Sequence, residues 1–385
     1  MNKFHFNTSP KIRFGCGTVK ELGDIVQKNI GKNVLFITDP GLLEIGLAKK
    51  AINIIQRNGI NVSLFSDVEA DPSEKTIYNA TEKAKDIKAE GIIGFGGGSS
   101  MDVAKLTSLL VSDRLELKEI YGIDKVKSSR IPLILIPTTS GTGSEVTPIA
   151  IVTTSESEKM GVVSSTILPD MALLDPELTT GLPPHITAAT GIDAMVHAIE
   201  AYTSKSTNNN PISKILAIEA LRLMGKWIEK AVHTGENIEA RSNMLLGSML
   251  AGQAFANSPV AAVHALAYPI GGHFKVPHGL SNALVLPHVI RFNALTHPKP
   301  YSEIAPIVFS ELHNMNSQEA AKAFSDSLAL LSKNCGLQQN LREVGIKEND
   351  LPILSKDAMN QSRLLVNNPR VISEKDAYNI YKAAL

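Results

Sequence analysis

Four apolar runs in the first half of the chain narrow the choice of fold more than any other feature. Val34 to Ile37 runs into Thr38-Asp39-Pro40, Gly91 to Phe95 into a triple glycine, and Ile131 to Ile136 into a Thr/Ser/Gly loop; Asn61 to Phe65 is the fourth. None contains a charged residue. Such a strand has no polar face to offer water, which suits a parallel sheet covered on both sides. Helical segments separate the runs: Glu44 to Arg57, Pro72 to Lys88 and Met101 to Val111. Strand, helix, strand, helix with short connections predicts a doubly wound, Rossmann-like α/β sheet with crossover helices.

After about Leu182 the pattern changes. Helical periodicities take over at Ile186 to Tyr202, Pro211 to Lys230, Ile238 to Asn257 and Ala320 to Cys335. Pro183-Pro184 cannot continue a sheet ladder and reads as a hinge. A chain of 385 residues also exceeds the size at which one core keeps growing. The expected organisation is a nucleotide-binding α/β domain at 1–182 and an all-α metal-binding and catalytic domain at 183–385. Lys+Arg and Asp+Glu balance at 38 each, which removes the field that a nucleic-acid or anionic-membrane binder carries. No stretch approaches the roughly 20 apolar residues of a membrane span, and MNKFHFNTSPKIRF has no signal-peptide core. Cys16 and Cys335 are the only cysteines, too few for a disulfide framework or a thiolate metal site, so a cytoplasmic protein is expected.

Two loops read as cofactor sites. Gly96-Gly97-Gly98-Ser99 lies between a strand and a helix, where glycines admit a pyrophosphate and the helix N-terminus offers free N–H groups. Ser99 reads as the helix cap, with Asp102 as the capping-box acid three residues on. The dinucleotide fingerprint G-x-G-x-x-G is met only in part, because Ser99 stands where the third glycine belongs. A tight turn without ligand is the alternative. Pro137-Thr138-Thr139-Ser140-Gly141-Thr142-Gly143-Ser144-Glu145 follows the next strand and offers hydroxyls and bare backbone. Asp39, just past a strand, can bind a ribose 2′-OH and repel a 2′-phosphate, favouring NAD over NADP; otherwise it caps the following helix.

A third group of residues points to a metal. Asp193 and His197 are four apart on an amphipathic helix, so they share a face and can chelate one ion. His264 and His278 lie in apolar stretches punctuated by Gly and Pro. One carboxylate and three imidazoles suit Fe²⁺, Zn²⁺ or another divalent first-row ion. Of the chain's other histidines, His288 reads as a support for the site or plain core, and His273 as a pocket residue or an exposed loop residue.

Gly-Gly-Gly-Ser-Ser-Met-Asp (96–102), Pro-Thr-Thr-Ser-Gly-Thr-Gly-Ser-Glu (137–145), Thr-Gly-Ile-Asp-Ala-Met-Val-His-Ala-Ile-Glu (190–200) and Val-Pro-His-Gly (276–279) resemble motifs of the iron-containing, group III alcohol dehydrogenases. That family includes lactaldehyde reductase and 1,3-propanediol dehydrogenase. The resemblance spans nearly the whole chain. It implies an oxidoreductase that interconverts a primary alcohol and its aldehyde, with NAD held in the cleft between domains. It implies metal ligation by Asp193, His197, His264 and His278, and NAD contacts at Asp39, Gly97, Gly98, Ser99, Thr138, Thr139, Thr142 and Lys159. Gly96, Asp102 and Ser144 join these from the loop reading. In several members a histidine stands four residues after the third ligand; here it is Tyr268. Tyr268 and His278 are therefore the catalytic candidates, with a relay through water and the cofactor ribose as the alternative to the phenol. Ile149 and Ile151, apolar where lactaldehyde reductase is polar, form the expected substrate pocket with Phe255 and His273, unless they only pack the domain interface. A lyase of the dehydroquinate synthase type, using NAD transiently, is the rival reading. The expected partners are a small alcohol or aldehyde and further copies of the chain, as a dimer or larger homo-oligomer.

Overall fold

The computed structural model describes residues 3–112, 115–154 and 159–385. It separates into two compact units, one of residues 7–139 and 143–180, the other of 1–6, 140–142 and 181–385.

Along the chain the first unit contains β1 (Ile12–Phe14), α1 (Leu22–Asn29), β2 (Asn33–Ile37), α2 (Pro40–Glu44), α3 (Leu47–Arg57), β3 (Asn61–Phe65), α4 (Glu74–Asp86), β4 (Gly91–Gly96), α5 (Gly98–Leu110), α6 (Leu117–Ile120), β5 (Gly122–Ile123), β6 (Leu133–Pro137), β7 (Ile149–Thr153), β8 (Lys159–Val163) and β9 (Met171–Leu174). Six strands form one sheet in the order β1-β9-β6-β4-β2-β3. All of its pairings are parallel. A smaller sheet has β8 parallel to β5 and antiparallel to β7.

Successive residues of a strand point to opposite faces, and the central strands use both. Leu35, Ile37, Ile92, Leu133 and Leu135 pack with Ile77 and Ala80 of α4 and Met101 and Leu106 of α5. Val34, Phe36, Ile93, Phe95, Ile134 and Ile136 pack with Leu22 and Val26 of α1 and Ala51 and Ile55 of α3. That double burial is why these strands are apolar without interruption. The sheet order runs outward from β2 to β3 on one side and from β4 to β6 on the other, so it reverses between β2 and β4. In open α/β sheets the carboxyl ends of such strands flank the ligand crevice. Five strands, β1, β5, β7, β8 and β9, have no counterpart in the sequence reading. β1, β5 and β9 are shorter than the four strands that the sequence predicts, β1 is exposed along its length, and β8 opens on a lysine. β7, as long as β2, carries Ile149 and Ile151 of the expected substrate pocket.

The second unit contains α7 (Pro184–Thr203), α8 (Pro211–His233), α9 (Ile238–Asn257), α10 (Ala262–Phe274), α11 (His278–Ala294), α12 (Pro298–Val308), α13 (Ser317–Asn334), α14 (Leu351–Met359), α15 (Ser362–Leu365) and α16 (Glu374–Ala384). It has no strand among its described residues. Helices α10, α11 and α12 enclose Pro269, Pro287 and Pro306. An interior proline removes a helix hydrogen bond and reads as a break, which is why periodicity alone leaves them out.

Candidate metal centre and cofactor loop

Helix α7 is buried along most of its length, and its polar residues therefore need partners. Asp193, His197 and Glu200 recur at i, i+4 and i+7, which puts them on one face. His264 lies in the first turn of α10 and His278 is the first residue of α11. Close approach of α11 to α7 depends on Gly279, where an added Cβ would meet the Ala189 carbonyl oxygen.

One ligand atom each from Asp193, His197, His264 and His278 falls within 4.8 Å of the other three. Asp193 Oδ1 is 3.7 Å from His278 Nε2 and 4.0 Å from His264 Nε2. Both spacings are under twice a metal–ligand bond of about 2.1 Å, so one ion can bridge them. The His197 and His264 rings stack at 4.7 Å, and His264 tilts against His278 at 5.4 Å. Three of the four side chains are buried; His278 is partly open. Burial pushes the His197 imidazole down to about 3 in spite of Asp193, so its lone pair is available at neutral pH. Burial also acts to raise the Asp193 carboxyl, but His278, His197 and His264 together with an Asn282 hydrogen bond outweigh it and hold the group below its usual value.

Two residues that sequence reasoning gave no role fix these ligands. Glu200 Oε2 accepts a 2.7 Å hydrogen bond from His264 Nδ1 and a second from the Ala261 N–H, while Oε1 accepts from the Val263 N–H. This places the His264 proton on Nδ1 and leaves Nε2 buried with no hydrogen-bond partner. An orphaned imidazole nitrogen facing a carboxylate fits a divalent metal, and carboxylate–histidine–metal chains are the common way to set a ligand's tautomer. Asn282 donates to Asp193 Oδ1 at 2.5 Å. The i, i+4, i+7 spacing is the signal that points to Glu200; Asn282 stands four residues after His278 and lies 3.3 Å from its Nε2, but its reach to Asp193 depends on how α11 meets α7.

Phe255 of α9 stacks on His197 with ring centroids 4.3 Å apart. Tyr268, one turn after His264, tilts against the His278 ring at 5.8 Å. His273 is placed elsewhere: Nε2 pairs with Asp357 Oδ2 at 2.6 Å, with both side chains more than one third exposed. Nine residues of helix separate it from His264, about 13 Å along the axis. It is a surface partner of α14, and the pocket reading of His273 is corrected.

At the carboxyl ends of β2, β4 and β6 the first unit gathers Asp39, Gly96, Gly97, Gly98, Ser99, Thr138 and Thr139. Asp39 caps α2 through a 3.0 Å bond from the Leu42 N–H, while a Cβ on Gly96 would sit 3.3 Å from its other oxygen. Gly96 has φ +149° and leaves no room for a side chain beside Ser100, so glycine is required there. The Thr138 N–H binds the Gly96 carbonyl at 3.0 Å, and Thr139 lies 3.8 Å from where a Gly97 Cβ would be. The cap of α5 is Gly97, with no side-chain cap bond. Ser99 is therefore not the cap: the helix starts earlier, at Gly98, because backbone geometry and not the hydroxyl sets the start. Asp102 is no capping acid either. It accepts from Ser144 Oγ at 2.7 Å and from the Ile151 N–H at 3.0 Å, so Asp102 and Ser144, read as cofactor contacts, turn inward. Lys159 Nζ is paired with Asp71 at 2.7 Å. Thr142 belongs to the helical unit. Ile149 and Ile151 are half-buried on one face of β7, with Ala150 and Val152 in the core on the other.

Two family profiles match the chain: "Iron-containing alcohol dehydrogenase" over residues 9–176 and "Fe-containing alcohol dehydrogenase family, C-terminal" over residues 187–385. The chain is 40% identical over 381 residues to a long-chain-alcohol dehydrogenase of Geobacillus thermodenitrificans, covering 97% of this chain and 95% of that one. It is 34% identical to an NAD-dependent methanol dehydrogenase of Bacillus methanolicus, with 99% and 100% covered. A crystal structure of 1,3-propanediol oxidoreductase superposes with a TM-score of 0.96 at 33% identity, covering both chains fully. These relatives carry redox names, which does not favour the lyase reading.

Proposed function

The chain belongs to the iron-containing alcohol dehydrogenases, and from that premise we propose an NAD-dependent interconversion of short-chain primary alcohols and aldehydes at the Asp193, His197, His264, His278 cluster. The observation that carries this reading is the four-ligand set, buried but for His278, in which Glu200 leaves His264 Nε2 without a partner. Fe²⁺ is the first choice of ion, with Zn²⁺ or another divalent metal also suited to the donors. When bound, the metal supplies Lewis acidity that lowers the pKa of the alcohol oxygen, and NAD supplies the hydride chemistry.

The chain's own residues do the rest. Asp39, Gly96, Gly97, Gly98, Ser99, Thr138 and Thr139 hold the dinucleotide, with Thr142 and Lys159 as further contacts. Phe255, flat against His197, shields the site from water and favours an alkyl chain over a polyol. Ile149 and Ile151, half-buried on one face of β7, are the apolar side chains of the sheet unit that we assign to the substrate. The Tyr268 hydroxyl, on the ring beside His278, carries the proton that leaves the alcohol. No helix among the described residues is long and apolar enough to cross a membrane, and we place the enzyme in the cytoplasm. We also assign it a homo-oligomeric state, because β1 is a sheet edge whose Ile12 and Phe14 are 38% and 37% exposed; light scattering on the purified protein checks this.

The test is metal analysis of anaerobically purified protein, followed by an alcohol panel with NAD⁺ and NADP⁺ read at the NADH band. The expected order in kcat/KM is butanol or propanol above ethanol, and all above glycerol. A buried methylene gains about 0.8 kcal/mol and an unpartnered hydroxyl loses roughly 1–3 kcal/mol. His264→Ala loses bound metal and activity and remains folded. Full activity without metal would sink the assignment, and a profile led by glycerol would sink the apolar pocket.

A further inference from the structure

Helices α9 and α10 are joined by residues 258–261, a largely buried stretch with no helix or strand of its own. Phe255, stacked on His197, precedes it, and His264 follows it. Backbone carbonyls in such a place have no ladder to join and must find other donors. Here side chains supply them. Asn208 Nδ2 donates to the Asn257 carbonyl at 2.8 Å, Ser204 Oγ to that of Pro259 at 2.9 Å and Asn367 Nδ2 to that of Val260 at 3.0 Å. The Ser258 hydroxyl donates in return to the Ala201 carbonyl at 2.6 Å. Beyond it, the Ala261 and Val263 N–H groups end on Glu200.

All but one of these partners come from one place. Glu200 and Ala201 lie in the last turn of α7, Ser204 is its C-cap, and Asn208 sits in the turn that follows. The exception is Asn367, 107 residues from Val260 in sequence and placed in the turn after α15. Its carbonyl accepts the Lys205 N–H at 2.8 Å, and its amide also donates to the Arg363 carbonyl at 3.1 Å. Asn367 is 6% exposed. One asparagine therefore ties the residue after the cap of α7 to the residues leading into α10, while its own turn is closed behind it. Helix α7 carries Asp193 and His197, and α10 carries His264. These bonds thus join the helix of the first two ligands to the helix of the third.

We propose that Asn367 and Ser204 are positioning residues for the metal. They hold residues 258–261 against the end of α7 and so set where His264 stands relative to Asp193 and His197. This rests on the metal assignment made above. Both act through backbone, Ser204 on the Pro259 carbonyl and Asn367 on the Val260 carbonyl, four residues before His264. Glu200 decides which nitrogen of His264 is free, whereas these two decide where the helix that carries it begins. Asn367 is distant in sequence from every ligand, so no motif spacing points to it.

The experiment loads the full-length protein with Co²⁺ and records Tm for each variant. Affinity is read by competition with a chromogenic chelator, and ligand geometry from the visible Co²⁺ bands. Asn367→Ala and Ser204→Ala should each weaken Co²⁺ by about tenfold, the low end of what losing a ligand's support costs, and shift its visible bands. Ser204→Thr keeps a hydroxyl and should restore both. In the two alanine variants kcat should fall while KM for NAD⁺ stays the same. Where Asn367→Ala does not fold, Ser204→Ala carries the test, because it leaves the turn after α15 intact. Ser355→Ala is the control: its hydroxyl is also buried but bonds within α14, so its loss should lower Tm alone. Asn367 and Ser204 variants with a lower Tm but the wild-type Co²⁺ affinity and bands overturn the positioning role and leave the metal assignment standing. A wild type that takes up no divalent metal overturns both.

Discussion

A single carboxylate, Glu200, decides which nitrogen of His264 is free, and this makes it as open to test as the ligands themselves. It takes the imidazole Nδ1 proton and two backbone N–H groups. Glu200→Gln keeps an oxygen near that proton but loses the charge that holds it. The expected result is a metal affinity about 10–100-fold weaker, the usual effect of losing such a partner, measured by competition with a chromogenic chelator. Unchanged affinity would mean that α7 and α10 alone hold His264 in place. Asp39 is a second such residue. Its carboxylate both caps α2 and faces Gly96. Glycine is only a few tenths of a kcal/mol worse as a cap, so Asp39→Gly removes the charge at small structural cost. A charge pair about 4 Å apart at an effective dielectric near 20 is worth roughly 4 kcal/mol before screening. NADP⁺ should therefore become usable in the variant, seen as a rise in its kcat/KM relative to NAD⁺. A wild type that already prefers NADP⁺ would show that Asp39 does not face the ribose. At this scale the sequence was readable where spacing alone places two groups together, as for Asp193 and His197. It was misleading at Ser99 and His273: the start of a helix and the far end of one depend on backbone that no residue type announces.

Elements show the same division. The central strands β2, β4 and β6 could be read because burial on both faces forces an apolar run, and the edge strand β3 because its four-residue stretch Val62 to Phe65 carries no charge. Helix α9 could be read to its ends because its cap, Asn237, binds the Ala240 N–H. Helices α10 and α11 carry His264 and His278, yet each contains a proline, and their residues gave motifs without giving elements. What brings the second pair of ligands to the first is the crossing of α11 on α7. At Gly279 a Cβ would lie 2.3 Å from the Ala189 carbonyl oxygen and 3.3 Å from Asp193 Cβ. Backbone cannot yield to that as a flexible side chain can. Gly279→Ala should push α11 outward, at a cost of about 1–3 kcal/mol typical of overpacking. The shift acts on His278 directly, since it is the neighbouring residue. Both Tm and metal affinity should fall together; a lower Tm with full metal affinity would show that His278 does not depend on this crossing.

For the molecule as a whole the formal charge is zero, which conceals where the charges lie. The sheet unit buries the acid Glu145 and the base Lys105, and this has a consequence for stability against pH. Burial pushes the Glu145 carboxyl from 4.5 up to about 7, only partly offset by a hydrogen bond from its own backbone N–H and by Lys105. Its folded pKa is thus above its unfolded one, and between those values the folded state holds the extra proton. The contribution is fully present below about pH 4.5 and is lost as pH rises through about 7. Lys105, pushed down to about 8, recovers stability only above that pH, so the window from pH 5 to 7.5 belongs to the carboxyl. A shift of this size corresponds to about 3 kcal/mol. Glu145→Gln replaces the group by one that never ionises. Its Tm should match the wild type near pH 5 and exceed it by a few degrees at pH 7.5, with NAD⁺ binding at pH 5 unchanged. Thermal unfolding at both pH values decides the matter: a Tm difference that is constant with pH would show that Glu145 does not change ionisation in the folded protein, and a difference that shrinks as pH rises would reverse the sign of the argument.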